Sequence, residues 1–510
     1  MSSLQLPLDD QSRLAGYAAL VQRYGLAALP HWHVSAVAST ASHHVLVREH
    51  TYELHPARYW PGESLGDHLE FALKYDGVNL DILHHVFQTA DRREIAAYVG
   101  SKPTGKYARR IWYLYELLTG DRLPRDDLDR GNYVDLLEQA EYYTAHPIRV
   151  RRQRVNDNLL GDARFCPVVR RTEAMRALED LNLPQRCQEV LAAFGPDVLR
   201  RALAYLYTKE TKSSFEIERE TPNADRTQRF VALLRLAEEA DFCRLPALVA
   251  LQNRIVDERF REQGYRQRQN YVGESADWTG ERVHYVPPKP EDVSSLMDGL
   301  LAAHQRMADS DIHPVVHAAV ISFGFVFLHP FEDGNGRIHR FLIHNILALS
   351  GFTPPGVIFP VSAVMLKDRP AYDRALEAFS RTLMPLIEYR LDRDGQITVL
   401  NDTAAHYRYL DMTSQTEALF RFIAATIDSE LAEELRFLQR YDAAKNSIQE
   451  IVDMPDRLID LFIRVCVQNQ GTISRGKRQS QFSMLTDSET AEMEEVVRTA
   501  YELGTGTAGG

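Results

Sequence analysis

The sequence has few cysteines, little clustered positive charge and no long apolar run, and each shortage excludes a class of protein. Its four cysteines stand far apart without a CxxC pair, which argues against a zinc ribbon or a disulfide framework. Lys and Arg number 59 against 71 Asp and Glu, and the formal net charge of -12 argues against broad binding to nucleic-acid phosphates. The longest apolar stretch, Val315 to Leu328, falls short of the roughly 20 residues that a membrane-spanning helix needs.

What remains is the composition of a soluble globular protein, with 45% hydrophobic and 25% charged residues. A length of 510 residues exceeds one ordinary hydrophobic core and predicts several domains. The opening MSSLQLPLDDQSR lacks the basic and apolar regions of a secretory signal. We therefore expect a cytoplasmic protein with reduced thiols, no membrane contact and no strong affinity for nucleic acid.

Apolar residues recur at three- and four-residue spacing through most of the chain, which indicates packed amphipathic helices. Two segments differ. HHVLVREHTYEL alternates apolar and polar residues and predicts a strand or hairpin, and residues 270–290 combine glycines, a Pro-Pro pair and short β-prone pieces typical of an exposed hairpin. The sequence thus predicts a mainly α protein with an N-terminal mainly helical domain (1–205), a central domain (206–400), a C-terminal helical domain (401–503) and a flexible tail (504–510).

The segment HPFEDGNGRIHR, residues 329–340, carries the strongest chemical pattern. It follows the apolar run that ends at Leu328 and leads into a helical stripe that ends at Gly351. Gly334, Asn335 and Gly336 can adopt backbone conformations closed to bulkier residues, so their N–H groups and the helix start can bind phosphate oxygens.

Charged residues surround this turn. Arg337 and Arg340 stand three apart on the helix, so both guanidinium groups project on one face and suit a polyphosphate. Asp333 is a hard oxygen ligand suited to Mg²⁺, for which Glu332 is the weaker choice. His329 is the group best suited to take a proton near neutral pH.

These residues fill every position of the pattern His-x-Phe-x-Asp/Glu-Gly-Asn-Gly-Arg-x-x-Arg, and the chain therefore resembles the Fic family over roughly residues 213–390. The resemblance implies a Fic-type helical core with a β-hairpin flap, flanked by helical domains. It implies transfer of AMP from Mg-ATP to a Tyr, Thr or Ser hydroxyl of a protein, with release of pyrophosphate, and the chain itself is one candidate target. In this family pattern His329 deprotonates the target hydroxyl, Asp333 holds Mg²⁺, and the phosphates bind Gly334, Asn335, Gly336, Arg337 and Arg340.

The resemblance extends to the nucleotide base and to the target. Tyr372 is similar to the family's adenine-pocket tyrosine, although the second tyrosine usual beside it is Asp373 here. In this family the edge of the flap strand aligns the target segment by main-chain pairing. The residues that resemble this edge here are Arg282, Val283, His284 and Tyr285.

Upstream, Ser214-x-x-x-Glu218 resembles the inhibitory helix motif of Fic proteins, in which the glutamate pairs with the last arginine of the signature, here Arg340. The motif's Gly/Asn after the glutamate is Arg219 in this chain, a cation that could loosen the fit or pair with Glu220. The same glutamate could also position a water that removes AMP from modified targets.

Several alternatives stay open at this stage. The site could transfer UMP or a phosphoryl group, or the protein could only sense ATP and regulate a partner. Ser214 and Glu218 could form an ordinary helix start, and Tyr372 could be a core residue. His317, His339 and His344 show no metal-binding spacing and are expected to be structural or surface residues. The sequence names no target and leaves open whether the chain forms a homodimer.

Overall fold

The computed structural model describes residues 12–39, 42–47, 51–276 and 280–503. Within them the protein is mainly α, as predicted. The tail predicted for residues 504–510 lies outside the described residues. No helix of the described part is long and apolar enough to cross a membrane.

The N-terminal region combines helices with two sheets. Its helices are α1 (Gly16–Tyr24), α2 (Leu65–Phe71), α3 (Leu80–Thr89), α4 (Arg92–Ser101) and α5 (Lys106–Thr119). Its strands are β1 (Arg13–Leu14), β2 (Val34–Ala38), β3 (His44–Val47), β4 (Thr51–Pro56), β5 (Val134–Asp135), β6 (Ile148–Val150) and β7 (Val155–Asp157). The sheets have the orders β1-β2-β4-β3 and β5-β7-β6. The hairpin predicted in HHVLVREHTYEL is present, since β3 pairs antiparallel with β4, whereas the other strands were not predicted.

The central region is built around a helix hairpin. Its helices are α6 (Glu173–Glu179), α7 (Leu183–Ala192), α8 (Pro196–Ile217), α9 (Ala224–Arg235), α10 (Leu245–Ile255), α11 (Pro290–Ala308), α12 (Pro314–Leu328), α13 (Asn335–Leu349), α14 (Val361–Lys367) and α15 (Arg369–Leu383). Its strands are β8 (Val272–Ala276), β9 (Gly280–Tyr285), β10 (Tyr389–Leu391) and β11 (Ile397–Val399). Helix α12 is apolar all round and almost entirely buried against α13, so the turn between these two helices is held by the core.

The C-terminal region is helical, with α16 (Ala404–Arg408), α17 (Thr413–Ala425), α18 (Ala432–Ile451), α19 (Asp456–Gln468), α20 (Arg475–Gln481) and α21 (Asp487–Tyr501). Helices α18, α19 and α21 pack around a hydrophobic cluster of their own, from Ala444 to Tyr501. A second cluster gathers the N-terminal helices, and the largest extends from Leu29 to Leu435 around α12. Because the largest cluster spans the boundaries predicted near residues 205 and 400, and α8 runs through the first of them, the domain division remains a prediction.

Candidate active site

The turn after α12 holds His329 in an unusual backbone conformation. His329 has φ 48° and ψ 57°, in the left-handed region that few residues other than glycine adopt, and its N–H donates to the Phe325 carbonyl. The imidazole Nδ1 lies 3.2 Å from the Val326 carbonyl oxygen. Since a carbonyl only accepts, Nδ1 carries the proton and Nε2 keeps its lone pair. In this tautomer Nε2 can accept a proton.

The electrostatic surroundings keep this imidazole neutral. Burial disfavours the charged ring, the Arg266 guanidinium adds repulsion, and together they lower the pKa of His329 to about 4. At neutral pH the ring is consequently deprotonated and able to accept a proton.

A side-chain brace fixes the loop between the two helices. Asn335 accepts the Phe331 N–H at 3.0 Å and donates to the Phe331 carbonyl at 2.7 Å, while the Phe331 ring is fully buried, as the sequence predicted. Gly334, with φ 90°, takes a left-handed conformation that starts α13, and its N–H donates to Asp333 Oδ1 at 2.6 Å. The glycine-rich turn thus presents N–H groups at the N-terminus of α13, as an anion site requires.

Arg337 is fully buried among three carboxylates. Its guanidinium nitrogens lie 2.8 Å from Asp333 Oδ1, 2.9 Å from Glu218 Oε2 and 3.4 Å from Glu220 Oε1. A buried cation is stable only when it is paired, so these contacts keep Arg337 in place.

Arg340 is held by the C-terminal end of α8, where the Ser214-x-x-x-Glu218 motif lies. It donates to Ser214 Oγ at 2.8 Å, to the Ser214 carbonyl at 2.6 Å and to Glu218 Oε1 at 2.7 Å. The Glu218 carboxylate passes so close to the turn that a Cβ on Gly336 would lie 2.2 Å from its Oε1. The glycine at position 336 is therefore needed for Glu218 to reach both arginines.

Three successive turns of helix α8 contact α13 through polar side chains. Glu210, Ser214 and Glu218 stand four residues apart and share one helix face. Glu210 pairs with His344 at 2.8 Å, one turn beyond the contact of Ser214 with Arg340. His344 is a buried structural residue, and the chain of polar contacts sets the register that places Glu218 at the signature.

Arg219, the departure from the inhibitory motif, ends α8 in the left-handed region with φ 59°. This backbone conformation accounts for the motif's Gly or Asn, which adopt it most easily. The pairing with Glu220 considered above is absent: Arg219 points to Glu274 at 3.8 Å, whereas Glu220 pairs with Arg226 at 2.9 Å. The Arg219 side chain is 84% exposed, so it does not push Glu218 from its place.

We expect Arg219→Gly to stabilise the end of α8, because it removes a left-handed penalty of about 1 kcal/mol and loses only an exposed ion pair. Hydrogen exchange of a peptide spanning residues 213–222 should become slower. Arg219→Ala is the matched control, since it removes the charge but keeps the Cβ. Equal exchange in the glycine and alanine variants would contradict a backbone cause.

The flap lies next to this segment. Strands β8 and β9 pair antiparallel, with His284 3.2 Å from Glu274. Arg282 and His284 are exposed and Val283 is partly buried, so these residues can border a bound segment. Tyr285 is different: its ring is buried and its hydroxyl donates to the Phe327 carbonyl, so its side chain anchors the end of the strand in the core.

Tyr372 is also a buried residue. Only 3% of it is exposed, its ring lies nearly parallel to His339 at 6.2 Å between centroids, and the Phe422 ring is also in contact with it. This environment favours the core-packing alternative for Tyr372, and the adenine contact remains a prediction.

Arg266 is a site residue that the sequence did not reveal. Its guanidinium is buried and donates to the carbonyls of His329 at 2.8 Å, Arg268 at 2.9 Å and Pro288 at 2.5 Å. It thereby ties the turn at His329 to the end of the flap. No local pattern marks a single arginine that binds main-chain carbonyls of distant segments, here those of His329 and Pro288, so only the fold identifies it.

Comparison with known proteins agrees with this geometry. Residues 242–347 match the Fic/DOC family, and the chain thus contains a Fic domain. It is 34% identical over 124 residues to "Protein adenylyltransferase Fic" of Culex quinquefasciatus, which covers 23% of this chain and 22% of that protein. The Drosophila melanogaster protein of the same name is 35% identical over 96 residues, or 19% of this chain and 17% of that protein. The chain therefore spans about a fifth of the length of these curated relatives.

Solved structures similar to this chain include a Fic family protein from Desulfovibrio desulfuricans G20, with 18% identity and a TM-score of 0.33 over 66% of this chain and 85% of that one. A Fic domain containing signaling protein from Bacteroides thetaiotaomicron has 20% identity and a TM-score of 0.33 over 49% and 97%.

Proposed function

We propose that this chain is a protein adenylyltransferase that transfers AMP from Mg-ATP to a Tyr, Thr or Ser hydroxyl of a protein and is inhibited by its own Glu218. One observation carries the proposal. A neutral imidazole with a free Nε2, a glycine-rich turn at a helix N-terminus and two buried arginines meet in a single segment, residues 329–340. The names of the curated relatives support the same activity.

We infer the steps of the reaction from this arrangement. The N–H groups of the turn and the guanidinium groups of Arg337 and Arg340 bind the β- and γ-phosphates, so the α-phosphorus is directed toward His329. His329 Nε2 takes the proton of the target hydroxyl as its oxygen bonds to the α-phosphorus. The bond from that phosphorus to the bridging oxygen breaks, and pyrophosphate leaves.

The partly exposed Asp333 carboxylate, 41% accessible, fits Mg²⁺, which prefers carboxylate and phosphate oxygens. Bound there, the ion would neutralise phosphate charge. Asp333 must first release Arg337, with which it is paired, so nucleotide binding has to exchange these partners.

Glu218 opposes this exchange because it pairs with both arginines that the phosphates need. Nucleotide that enters while Glu218 stays cannot place its γ-phosphate on Arg340 and binds unproductively. The same carboxylate, held beside the phosphate site, supports a second role in positioning a water that removes AMP from modified targets.

Two further assignments belong to this proposal. The four cysteines are buried and form no disulfide, which supports a reducing compartment such as the cytoplasm. The chain's own hydroxyl groups are candidate targets, so self-modification is the simplest first assay.

The activity is tested by incubating the protein and its Glu218→Gly variant with Mg²⁺ and either α- or γ-labelled ATP. AMP transfer predicts label on protein from α-labelled ATP alone, and mass spectrometry should find one added AMP on a hydroxyl side chain. Label from γ-labelled ATP would instead indicate a kinase. Tight ATP binding without pyrophosphate release across candidate targets would favour a nucleotide sensor.

A further inference from the structure

Beyond the candidate active site, the described residues contain three groups of side chains whose potential metal-binding atoms lie within 4.8 Å of one another. These groups are His43–Glu53–His55, Asp81–His85–His406 and Asp241–Cys243–His304. The third group is already satisfied, because His304 contacts Asp241 through Nε2 and His317 through Nδ1. Burial also holds the pKa of the Cys243 thiol well above its usual value, so the thiolate that a metal requires is disfavoured.

The second group is built around a buried carboxylate. Asp81, in the first turn of α3, has no exposed surface. Its Oδ2 accepts the Leu29 N–H at 2.6 Å, and its Oδ1 faces His406 Nδ1 at 2.9 Å and His85 Nε2 at 3.5 Å. His85 lies one turn further along the same helix, so both side chains point to the same side.

One donor atom of the group is buried without a hydrogen bond. The Nε2 atom of His85 has no hydrogen bond of good geometry, and it lies 3.5 Å from Asp81 Oδ1, which is too long for a good one. A buried polar atom without a hydrogen bond is costly. A cation between the three side chains would bind this nitrogen and the carboxylate oxygen that it faces.

The donor atoms fit a transition-metal ion. In tetrahedral coordination with bonds of about 2.0–2.1 Å, neighbouring ligand atoms stand roughly 3.3 Å apart, and the two distances from Asp81 Oδ1, 2.9 and 3.5 Å, bracket that spacing. Two imidazoles and one carboxylate favour Zn²⁺ over Mg²⁺ or Ca²⁺, which prefer oxygen ligands. The side chain of His85 is 24% exposed, so the group lies close to the protein surface.

We propose that Asp81, His85 and His406 form a Zn²⁺ site. The site joins α3 of the N-terminal region to α16, whose ligand lies 325 positions later in the chain. It stands outside the residues that match the Fic/DOC family and does not depend on the proposed transferase activity. Bound zinc would stabilise the contact between the two regions, because it binds only where both are folded together.

The full-length protein is the material for the test. After exposure to Zn²⁺ and removal of loosely bound metal, mass spectrometry of the metal should find about one more zinc per chain in the wild type than in His85→Ala. Zinc should raise the melting temperature of the wild type but not of His85→Ala. Loss of one of three ligands should weaken zinc binding by more than about tenfold, since even residues outside the coordination sphere have effects of that size.

His84→Ala is the matched control. His84 precedes His85 on the same helix, is a histidine of similar size and contacts the Leu118 carbonyl through Nδ1, outside the group. We expect His84→Ala to keep the zinc and the increase in melting temperature. The proposal is overturned if the wild type and His85→Ala retain equal zinc, or if His84→Ala loses as much as His85→Ala.

Discussion

Replacing Glu218 with glycine should raise the rate of AMP transfer at least tenfold and toward about 100-fold. Glu218 forms charge-assisted contacts with Arg337 at 2.9 Å and with Arg340 at 2.7 Å. A hydrogen bond to a charged group contributes about 1.5–3 kcal/mol, and every 1.4 kcal/mol is a factor of ten in an equilibrium. Removing the carboxylate removes one competitor for phosphate from each arginine. Asp333 and Glu220 still pair with Arg337, and Ser214 and Tyr372 remain hydrogen-bond partners of Arg340.

Glu216→Gly is the matched control for this effect. Glu216 is a glutamate of the same final turn of α8, but it is exposed to solvent. Glu216 lies inside the helix and Glu218 is its C-cap, so glycine lowers helix stability at least as much at position 216 as at position 218. A large increase in Glu218→Gly together with a small change in Glu216→Gly identifies the carboxylate as the inhibitor. If both variants transferred AMP at the same rate, any increase over the wild type would be due to a loosened helix and not to loss of the Glu218 carboxylate.

Adding His329→Ala to the Glu218→Gly variant should lower the transfer rate by about 100-fold or more, the usual contribution of a general base. ATP binding should persist, because the turn at Gly334 to Gly336 and both arginines remain. Calorimetry measures ATP binding and the labelling assay measures the transfer rate, so the two together separate a loss of catalysis from a loss of binding. Undiminished labelling in the double variant would remove His329 from the mechanism.

The pH dependence of AMP transfer by the Glu218→Gly variant offers a second measurement on the His329 imidazole. The base is active when deprotonated, and the pKa of His329 is lowered to about 4. Activity should consequently persist as the pH falls from neutral to about 5 and disappear as it passes through about 4. A midpoint near the usual histidine value would show that the imidazole is not held neutral by burial and Arg266 as the structure indicates.

Local sequence patterns predicted the features that a few neighbouring residues determine. The helices, the turn at Gly334 and the capping Gly351, which has φ 68°, follow from spacing and residue type. The flap hairpin is likewise present. The approach of Glu218 to Arg340 was expected from a motif, and its distance is now known, although its inhibitory role is still a proposal.

Other features depend on contacts between distant segments. The order β1-β2-β4-β3 requires a parallel pairing of β2 with β4 that no local pattern indicates. Arg266 acts on main-chain carbonyls, which carry no sequence signal. Tyr285 lies in an exposed hairpin, yet its side chain turns into the core. Asp81 and His406 meet only after the N-terminal region has packed against α16.

The proposed mechanism depends most on where the phosphates of ATP bind. A crystal structure of Glu218→Gly with Mg-ATP should place the β- and γ-phosphates on the N–H groups of the turn and on the guanidinium groups of Arg337 and Arg340. The α-phosphorus should face Nε2 of His329. Phosphates bound elsewhere, without contact to Asn335 or Arg337, would contradict both the assigned chemistry and the inhibitory role of Glu218.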